Sequence, residues 1–292
     1  MATTTPKPKL LVIVGPTASG KSALAMKIAR KHNGEIIAAD SRTVYKGMDI
    51  GTAKPSKADQ AEVPHWGLDL IEPGQGYSAA RFKRYAQERI QDIQSRGRLP
   101  IIVGGTGLYV DGLIFNFSFI NPSPVRRFVY RRFSIGKLQK VIEHRSWKPP
   151  FNSTNARHLL RIVEKKGRSG DRSIGPLAGT TMIGLMPTPE ALRMNISERA
   201  DKMFASGVVD ETKLLRTRYG EKALKSTGGI IYQACAKLIN GELSQQEAKD
   251  WFTKADWQYA RRQRTWFRRN PFIRWYGDSA SAERAINQLL NT

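Results

Sequence analysis

Residues 10 to 22 read Leu10-Leu11-Val12-Ile13-Val14-Gly15-Pro16-Thr17-Ala18-Ser19-Gly20-Lys21-Ser22. The first five residues are apolar, which is typical of a short buried strand. The remaining ones fit the pattern G-x-x-x-x-G-K-[ST], in which glycines let successive N–H groups point at phosphate oxygens. After them, Leu24, Ile28 and Ala29 recur at helical spacing. Strand, glycine-rich loop and helix in this order predict a binding site for a di- or triphosphate.

The last two residues of this loop have separate chemical roles. Lys21 brings a positive charge to the phosphates, and the hydroxyl of Ser22 can join the coordination shell of Mg²⁺. We therefore expect Mg²⁺ as the cofactor. A glycine-rich turn that matches the pattern by chance is the alternative, and the strand and helix on either side weaken it. The residues expected to bind phosphate are Gly15, Pro16, Thr17, Ala18, Ser19, Gly20, Lys21 and Ser22.

Apolar runs and helical patterns continue to alternate along the chain. Ser78 can cap a helix whose apolar residues recur every three or four positions until Gly97. Further helices are expected between Pro189 and Arg269. The buried strands are expected at 10–14, 35–39, 99–103 and 183–186. This order predicts an α/β fold, a P-loop parallel sheet flanked by helices.

The composition limits the class of protein. The 292 residues include 48 Lys and Arg against 25 Asp and Glu, a net charge of +23 that favours nucleic acid as the partner, before membrane. Apolar residues make up 40%, which excludes a disordered chain. The single cysteine, Cys235, excludes an internal disulfide and a cysteine-based zinc cluster. No apolar run approaches the roughly 18 residues of a membrane span, so we expect no membrane contact and a cytoplasmic location.

The composition changes after about Asn121. From Asn121 to Arg172 there are 14 Lys and Arg against 3 Asp and Glu, and the apolar runs are short. We interpret this part as a small, mainly helical insertion domain with a basic face that contacts nucleic acid. The expected organisation is a flexible polar tail at 1–9, a core formed by 10–120 and 183–292, and the insertion at 121–182.

Two turns after expected strands offer polar groups to a ligand. Asp40 follows the second strand, at the edge where open α/β sheets bind ligands, and its carboxylate can accept a proton. An ordinary helix cap is the alternative for Asp40. The third strand runs into Gly104-Gly105-Thr106-Gly107, where backbone and a hydroxyl can approach a ligand. No acid follows that strand to hold Mg²⁺, which argues against a nucleotide kinase unless Asp69 supplies the acid.

Arginines and aromatic residues are densest between Tyr259 and Arg269. Arginines can bind RNA phosphates, and aromatic rings can stack on unpaired bases. A solvated helix face is the alternative, and the helical pattern favours a core position for Trp266 and Phe267. The four histidines lack metal-ligand spacing, so we expect none of them to bind a metal: His32, His65, His144 and His158.

Several of these motifs resemble those of the tRNA dimethylallyltransferase family. The phosphate loop has the family's form. A long and specific match is Asp40-Ser41 followed by Val44-Tyr45-Lys46-Gly47-Met48-Asp49-Ile50-Gly51-Thr52-Ala53-Lys54-Pro55. It continues with Tyr77-Ser78-Ala79-Ala80, Val103-Gly104-Gly105-Thr106-Gly107-Leu108-Tyr109 and Arg261-Arg262-Gln263 with Thr265-Trp266-Phe267-Arg268. The resemblance is strong over about 10–115 and looser over about 190–270.

The resemblance implies a prenyl transfer to tRNA. A dimethylallyl group would pass from dimethylallyl diphosphate to the 6-amino nitrogen of the adenosine 3′ of the anticodon, releasing diphosphate. Asp40 would be the general base, Lys21 would bind the diphosphate, and Thr106 would orient the substrate or leaving group. The expected partners of a monomeric enzyme are this donor and the anticodon stem-loop. The residues expected on the tRNA side are Asp40, Ser41, Arg42, Thr43, Arg157, His158, Arg161, Gly228, Gly229, Tyr232, Gln233, Arg261, Arg262, Gln263, Arg264, Thr265, Trp266 and Arg268.

One turn departs from the family pattern S-x-R-x-x-G-Y, in which the arginine helps to hold the diphosphate. Here Gly228 takes the place of the arginine, and Ile231 takes that of the glycine. Either another cation then helps to hold the diphosphate, with Lys225 the nearest in sequence, or the enzyme is expected to turn over slowly.

Two other functions remain open from the residues alone. The first is a P-loop small-molecule or nucleotide kinase, which would use ATP. The second is a non-catalytic RNA-binding relative of the transferases, which would bind tRNA without changing it. The large basic excess and the missing acid after Val103 argue against the kinase.

Overall fold

A computed structural model of the chain describes residues 9–120, 123–150, 152–168 and 170–291. The chain divides into two compact units. The first unit joins the part up to Ile114 to the part from Pro176 onward, and the second unit is Phe115–Gly175. Each unit is built from its own elements.

The first unit contains a six-stranded parallel sheet. Its strands are β1 (Leu10–Val14), β2 (Gly34–Ala38), β3 (His65–Trp66), β4 (Leu99–Gly104), β5 (Thr180–Leu185) and β6 (Ile273–Tyr276). Their order across the sheet is β3-β2-β4-β1-β5-β6. β1 lies between β4 and β5, with Val12 opposite Ile102 on one side and Met182 on the other. Every residue of β1 is buried, as expected for a central parallel strand covered on both faces. The predicted α/β class and parallel sheet are confirmed.

The first unit also contains ten helices among its described residues, and three further helices form the second unit. In chain order they are α1 (Lys21–Lys31), α2 (Lys57–Glu62), α3 (Ala79–Ser95), α4 (Gly107–Ile114), α5 (Pro124–Tyr130), α6 (Ile135–His144), α7 (Ala156–Glu164), α8 (Pro189–Ala205), α9 (Val208–Tyr219), α10 (Glu221–Ser226), α11 (Ile230–Ile239), α12 (Gln245–Phe267) and α13 (Ser279–Asn291). Local chemistry fixes several helix starts. Ser78 caps α3 by accepting from the N–H of Arg81, and Ser244 forms a capping box with Glu247 at α12.

Two large apolar clusters and a smaller one around Leu192 and Ala260 hold the first unit together. One packs α1 and α13 against the sheet around Ile13, Ile28 and Ile286. The other joins the long segment after β2 to the C-terminal helices, with Met48 and Phe252 at its centre. The second cluster matters for the site, because it brings helices distant in sequence to the carboxyl end of the sheet.

The second unit consists, within its described residues, of α5, α6 and α7 around a small core. Leu138, Ile142, Leu159 and Val163 are its buried apolar side chains. The unit runs from Phe115 to Gly175, so both predicted bounds, 121 and 182, lie too far toward the C-terminus. Backbone hydrogen bonds explain the shift.

Ser173 donates to the carbonyl of Phe115, which closes the base of the second unit. Leu177 donates to Ile114, and β5 starts at Thr180, so 176–182 belong with the sheet of the first unit. The predicted tail at 1–9 lies outside the described residues except for Lys9, which donates its N–H to Gly179. Within the described part of the chain, no helix is both long and apolar enough to span a membrane.

Candidate active site around the phosphate loop

The phosphate loop connects the carboxyl end of β1 to the first turn of α1. Gly20 caps α1 with φ +84°, a left-handed conformation that glycine adopts without strain. A Cβ on Gly15 would come within 2.7 Å of the Leu185 carbonyl and of Ser19 Oγ. The first turn of α1 presents N–H groups that have no partner within the helix. Loop and helix end together therefore form an anion-binding arrangement.

Gln263 on α12 holds the phosphate loop in place. Its Oε1 accepts from the N–H of Thr17 at 2.7 Å, and its Nε2 donates to the carbonyl of Gly105 at 2.9 Å. The side chain is only 6% exposed. Gln263 was expected on the tRNA side, and its burial corrects that expectation. The buried positions of α12 recur every three or four residues, and this spacing is the signal that could have placed Gln263 inside.

Lys21 lies beside the loop with its ammonium in the cavity wall. Its Nζ donates to the Pro16 carbonyl at 3.1 Å. Burial lowers the pKa of Lys21 to about 8, an effect opposed by the nearby Asp40 and reinforced by Arg199. A bound anion would favour the charged form of Lys21. The residue is therefore suited to a phosphate ligand.

Asp40 is brought to the same cavity from the end of β2. Its Oδ1 accepts from the N–H of Arg42 at 2.8 Å, so the carboxylate also closes a local turn. Thr106 Oγ1 accepts from the N–H of Ser41 at 3.0 Å and ties this turn to the one after β4. Glycine is required at Gly104, because a Cβ there would collide with the carbonyl of Ala39. These contacts fix the position of the carboxylate relative to the phosphate loop.

The cavity at the phosphate loop has a volume of about 570 Å³. Lys21, Asp40, Arg199 and Asp256 contribute charge to its walls. The C-terminal helices contribute Ile230, Ile231, Phe252 and the ring of Tyr259 to its apolar lining, and the sheet and α1 contribute further apolar residues such as Met26, Ile36 and Val103. Charged groups and an apolar wall in one cavity suit a ligand that joins an anion to a hydrocarbon.

Arg199, Asp256 and Tyr259 line the cavity, although none of them was among the expected site residues. Tyr259 carries the guanidinium of Arg42 over its ring, 4.2 Å from the centroid. Burial raises the pKa of the Tyr259 hydroxyl, with the negative charge of Asp40 adding to the effect. Tyr259 and Asp256 belong to the inward stripe of α12, so helical spacing could have found them. Nothing local in α8 distinguishes Arg199.

A second, shallower cavity of about 410 Å³ lies on the outer face of α12. It is lined by Gln258, Arg261, Arg262, Thr265, Trp266 and Arg269. The expected core position of Trp266 is wrong, because the side chain is 43% exposed and its Nε1 donates to Asp111 at 2.7 Å. Phe267 is buried, as expected. Arg268 is exposed and Arg264 is half-buried. Basic and aromatic groups thus share one exposed face of α12.

The turn before α11 carries Gly228, the residue in the place of the family arginine. Gly228 is exposed with φ +70° and does not line the 570 Å³ cavity. Gly229 is buried against Tyr232, whose hydroxyl donates to Glu211 at 2.6 Å. Tyr232 is 1% exposed, so its expected contact with tRNA is corrected to a core position. Glu211 also accepts from three backbone N–H groups of the segment after β2.

Lys225 and Gln233 line a separate cavity of about 230 Å³. Lys225 is exposed and is therefore not the cation that replaces the family arginine at the phosphate loop. Asp69, the acid that a kinase would need, instead accepts from Lys54. Both outcomes depend on tertiary packing that the local sequence does not contain.

The remaining expected tRNA contacts fall into two groups. Ser41 and Arg42 are half-buried beside Asp40, whereas Thr43 is buried. Arg157, His158 and Arg161 are exposed on α7 of the second unit. Their contacts with RNA stay predictions. No group of three or more His, Cys, Asp or Glu side chains suited to a metal occurs among the described residues.

Parallel sheet, phosphate loop and cavity define an α/β P-loop protein. The family model for IPP transferase matches residues 43–270, and the model for isopentenyl transferase matches residues 8–69. The chain therefore belongs to the IPP transferase family, the tRNA dimethylallyltransferases. The resemblance drawn from the motifs is confirmed.

Individual relatives match over nearly the whole chain. The tRNA dimethylallyltransferase of Pelotomaculum thermopropionicum is 36% identical, and the match covers 94% of this chain and 92% of the relative. That of Streptococcus pneumoniae is 36% identical over 97% of this chain and 98% of its own. The solved tRNA isopentenylpyrophosphate transferase of Bacillus halodurans has 32% identity and a TM-score of 0.72, covering 98% and 97% of the two chains. These matches favour the transferase over the kinase.

Proposed function

We propose that this protein transfers the dimethylallyl group of dimethylallyl diphosphate to the 6-amino nitrogen of the adenosine 3′ of the anticodon in tRNA. One observation carries the proposal. Lys21 and the phosphate loop share a cavity with Asp40 and with the apolar side chains of Ile230, Ile231 and Phe252. An allylic diphosphate needs an anion site beside an apolar wall, and this cavity offers both.

The leaving group is the first task of the site. The allylic C–O bond breaks, its electron pair goes to the diphosphate, and positive charge develops on the allyl carbon. Groups that stabilise the departing anion therefore lower the barrier most. Lys21, with its pKa lowered to about 8 mainly by burial, and the N–H groups at the start of α1 are placed for this task. The apolar wall excludes water from the developing cation.

The acceptor is the second task. The amine nitrogen forms a bond to the allyl carbon and loses a proton to the carboxylate of Asp40. Because the N–H of Arg42 already holds one oxygen of Asp40, the carboxylate is oriented before the base arrives. Thr106 contributes indirectly, by accepting from Ser41 and so fixing the turn that carries Asp40.

Mg²⁺ is the cofactor we propose, and the residues present fit it. Mg²⁺ keeps several waters and takes substrate phosphate oxygens, so few protein ligands are required. Ser22 places a hydroxyl at the start of α1, and Oγ of Ser19 in the same loop is a buried oxygen without a hydrogen-bond partner. Bound there, the ion would add positive charge against the departing diphosphate.

The tRNA substrate accounts for the charge of the protein. The exposed face of α12 carries Arg261, Arg262, Trp266 and Arg268, and α7 carries further exposed basic residues. The target base has to leave the anticodon-loop stack to reach the cavity. Tyr259 and Arg42, stacked at 4.2 Å, line the cavity and are suited to contact that base. We propose a monomer that acts in the cytoplasm, where tRNA is found.

The decisive test is mass spectrometry of nucleosides from an unmodified tRNA anticodon stem-loop. The protein is incubated with the RNA, Mg²⁺ and dimethylallyl diphosphate, and in a parallel reaction with ATP. The proposal expects a dimethylallyl mass increase on the adenosine 3′ of the anticodon in the first reaction alone. RNA binding without any mass increase would establish the non-catalytic relative, and phosphate transfer from ATP would establish the kinase.

A further inference from the structure

A buried ion pair lies in the wall of the phosphate-loop cavity. Arg199 on α8 donates through Nη2 to Oδ2 of Asp256 on α12. Asp256 has no exposed surface, and the side chain of Arg199 is 25% exposed. Both side chains line the cavity together with Lys21. The guanidinium also stands 5.9 Å from the centre of the Phe252 ring.

Neither member of this pair is fully satisfied by the other. Nε of Arg199 and Oδ1 of Asp256 are both buried without a hydrogen-bond partner. A guanidinium has five N–H donors in a rigid fork and usually meets a carboxylate through two of them. Here, among the described residues, a single hydrogen bond joins the two groups. A buried charge with free donors is costly, so this arrangement is typical of a site that a ligand completes.

Arg199 is also close enough to the phosphate loop to affect it electrostatically. Burial is the main cause of the lowered pKa of Lys21, and the positive charge of Arg199 lowers that pKa further. Asp256 has the opposite effect. By contrast, Lys225 lines a different cavity and Gly228 has no side chain. Arg199 is therefore the arginine whose charge acts on the ammonium of Lys21.

We propose that Arg199 binds the diphosphate of the donor and so takes the role of the family arginine, whose place in the sequence Gly228 occupies. Asp256 orients the guanidinium of Arg199 and limits its positive charge. The inference rests on the proposed function, since it concerns the same donor site. A guanidinium grips phosphate oxygens in a two-pronged fork that lysine does not reproduce. Asp256 is a positioning residue in this proposal, because it acts through Arg199.

Isothermal titration of the full chain with inorganic pyrophosphate and Mg²⁺ tests the proposal without a prenyl group. Arg199→Gln removes the fork and weakens pyrophosphate binding by about tenfold or more, as expected for charged hydrogen bonds. Asp256→Asn keeps an oxygen that accepts from Arg199 but removes a negative charge, so it tightens binding by about threefold. Arg193→Gln, an exposed arginine on the same helix, is the matched control and stays within about twofold of wild type.

Weaker pyrophosphate binding in Arg199→Gln and tighter binding in Asp256→Asn would distinguish a role in binding from a purely structural role of the ion pair. A purely structural pair would lower the melting temperature in both variants and leave pyrophosphate affinity unchanged, which would overturn the inference. The double variant Arg199→Gln with Asp256→Asn leaves a neutral pair that can fold, and weakened binding is still expected because the fork is gone. Wild-type affinity in that variant would also overturn the inference.

The same titration distinguishes failure of this inference from failure of the proposed function. If Lys21→Ala abolishes pyrophosphate binding and Arg199→Gln does not weaken it, the donor site stands and Arg199 is not part of it. If the wild-type protein does not bind pyrophosphate, both the donor site and the role of Arg199 are wrong.

Discussion

Gln263 Oε1 accepts a hydrogen bond from the N–H of Thr17 at 2.7 Å, although the two residues are 246 positions apart in the chain. The other end of the same amide donates to Gly105. One buried side chain thus connects three parts of the site, namely the phosphate loop, the turn after β4 and the inner face of α12. The catalytic geometry depends on where α12 docks, which makes α12 part of the donor site.

Gln263→Glu tests this connection with almost no change in shape. The carboxylate can still accept from Thr17, but it faces the Gly105 carbonyl without a proton to donate, and that contact becomes repulsive. We expect kcat/KM for the donor to fall by about tenfold or more, because a buried polar group without its partner costs about 1–3 kcal/mol. The KM for tRNA should stay within about twofold of wild type.

Gln245→Glu provides the control, since Gln245 is exposed at the start of the same helix. Steady-state kinetics with each substrate varied in turn gives the comparison. A loss of tRNA affinity equal to the loss for the donor would return Gln263 to the RNA side.

The sequence predicted the part of the site that is local and missed the part that is tertiary. β1, the phosphate loop and α1 are contiguous in sequence. The apolar run, the glycines and the helical spacing therefore predict each of them from adjacent residues alone. Asp40 was predictable because the carboxyl ends of parallel strands meet at one edge. Arg199 and Asp256 meet across 57 residues of chain, and only the packing of α8 against α12 brings them together. Tyr232 and Gln263 were expected on the tRNA side, but both are buried, because a motif match does not show which way a side chain points.

Asp40→Asn separates proton transfer from binding. The amide can still accept from the N–H of Arg42, so the turn is preserved, but it cannot take the proton of the acceptor amine. We expect turnover to fall by about 10²-fold or more, with tRNA affinity within a few fold. Single-turnover kinetics and filter binding measure the two quantities. Asp210→Asn, at an exposed aspartate on α9, is the isosteric control, and near wild-type turnover in Asp40→Asn would remove Asp40 from the mechanism.

Because the pKa of Lys21 is lowered, we expect donor binding to depend on pH. Burial holds the pKa of its ammonium at about 8, so the free enzyme loses this positive charge as pH rises through that value. The diphosphate binds the charged form, and kcat/KM for the donor should therefore decline by about tenfold per pH unit well above pH 8. Lys21→Met should show low kcat/KM without this decline and should bind tRNA normally. A decline that persists in Lys21→Met would assign the titration to another group.

The lowered pKa of Glu35 indicates the pH range in which the fold loses stability in acid. This buried carboxylate on β2 accepts from Arg96, Arg98 and Trp66 Nε1, and the hydrogen bond from Arg96 is the main cause that lowers its pKa to about 2. Because the folded pKa is below the unfolded one, the stabilisation is complete above about pH 4.5 and disappears toward pH 2. We expect Glu35→Gln to cost about 2 kcal/mol at pH 7 and less at pH 3.5, by urea denaturation.

Glu62→Gln is the control for the Glu35 variant. Glu62 pairs with Arg30 at the exposed surface, where an ion pair contributes about 0–1 kcal/mol. An effect of Glu35→Gln no larger than that of Glu62→Gln would show that the buried network does not stabilise the sheet.

The basic face of α12 predicts a steep salt dependence of tRNA binding. Each phosphate that the protein neutralises releases condensed counterions, so the logarithm of affinity falls linearly with the logarithm of salt concentration. Arg261→Ala and Arg268→Ala each remove an exposed guanidinium from this face, and each should flatten the slope by about one. Lys213→Ala, an exposed lysine on α9, removes the same charge and should leave the slope unchanged. If all three variants flatten the slope equally, the RNA responds to net charge alone, and α12 is not its binding face.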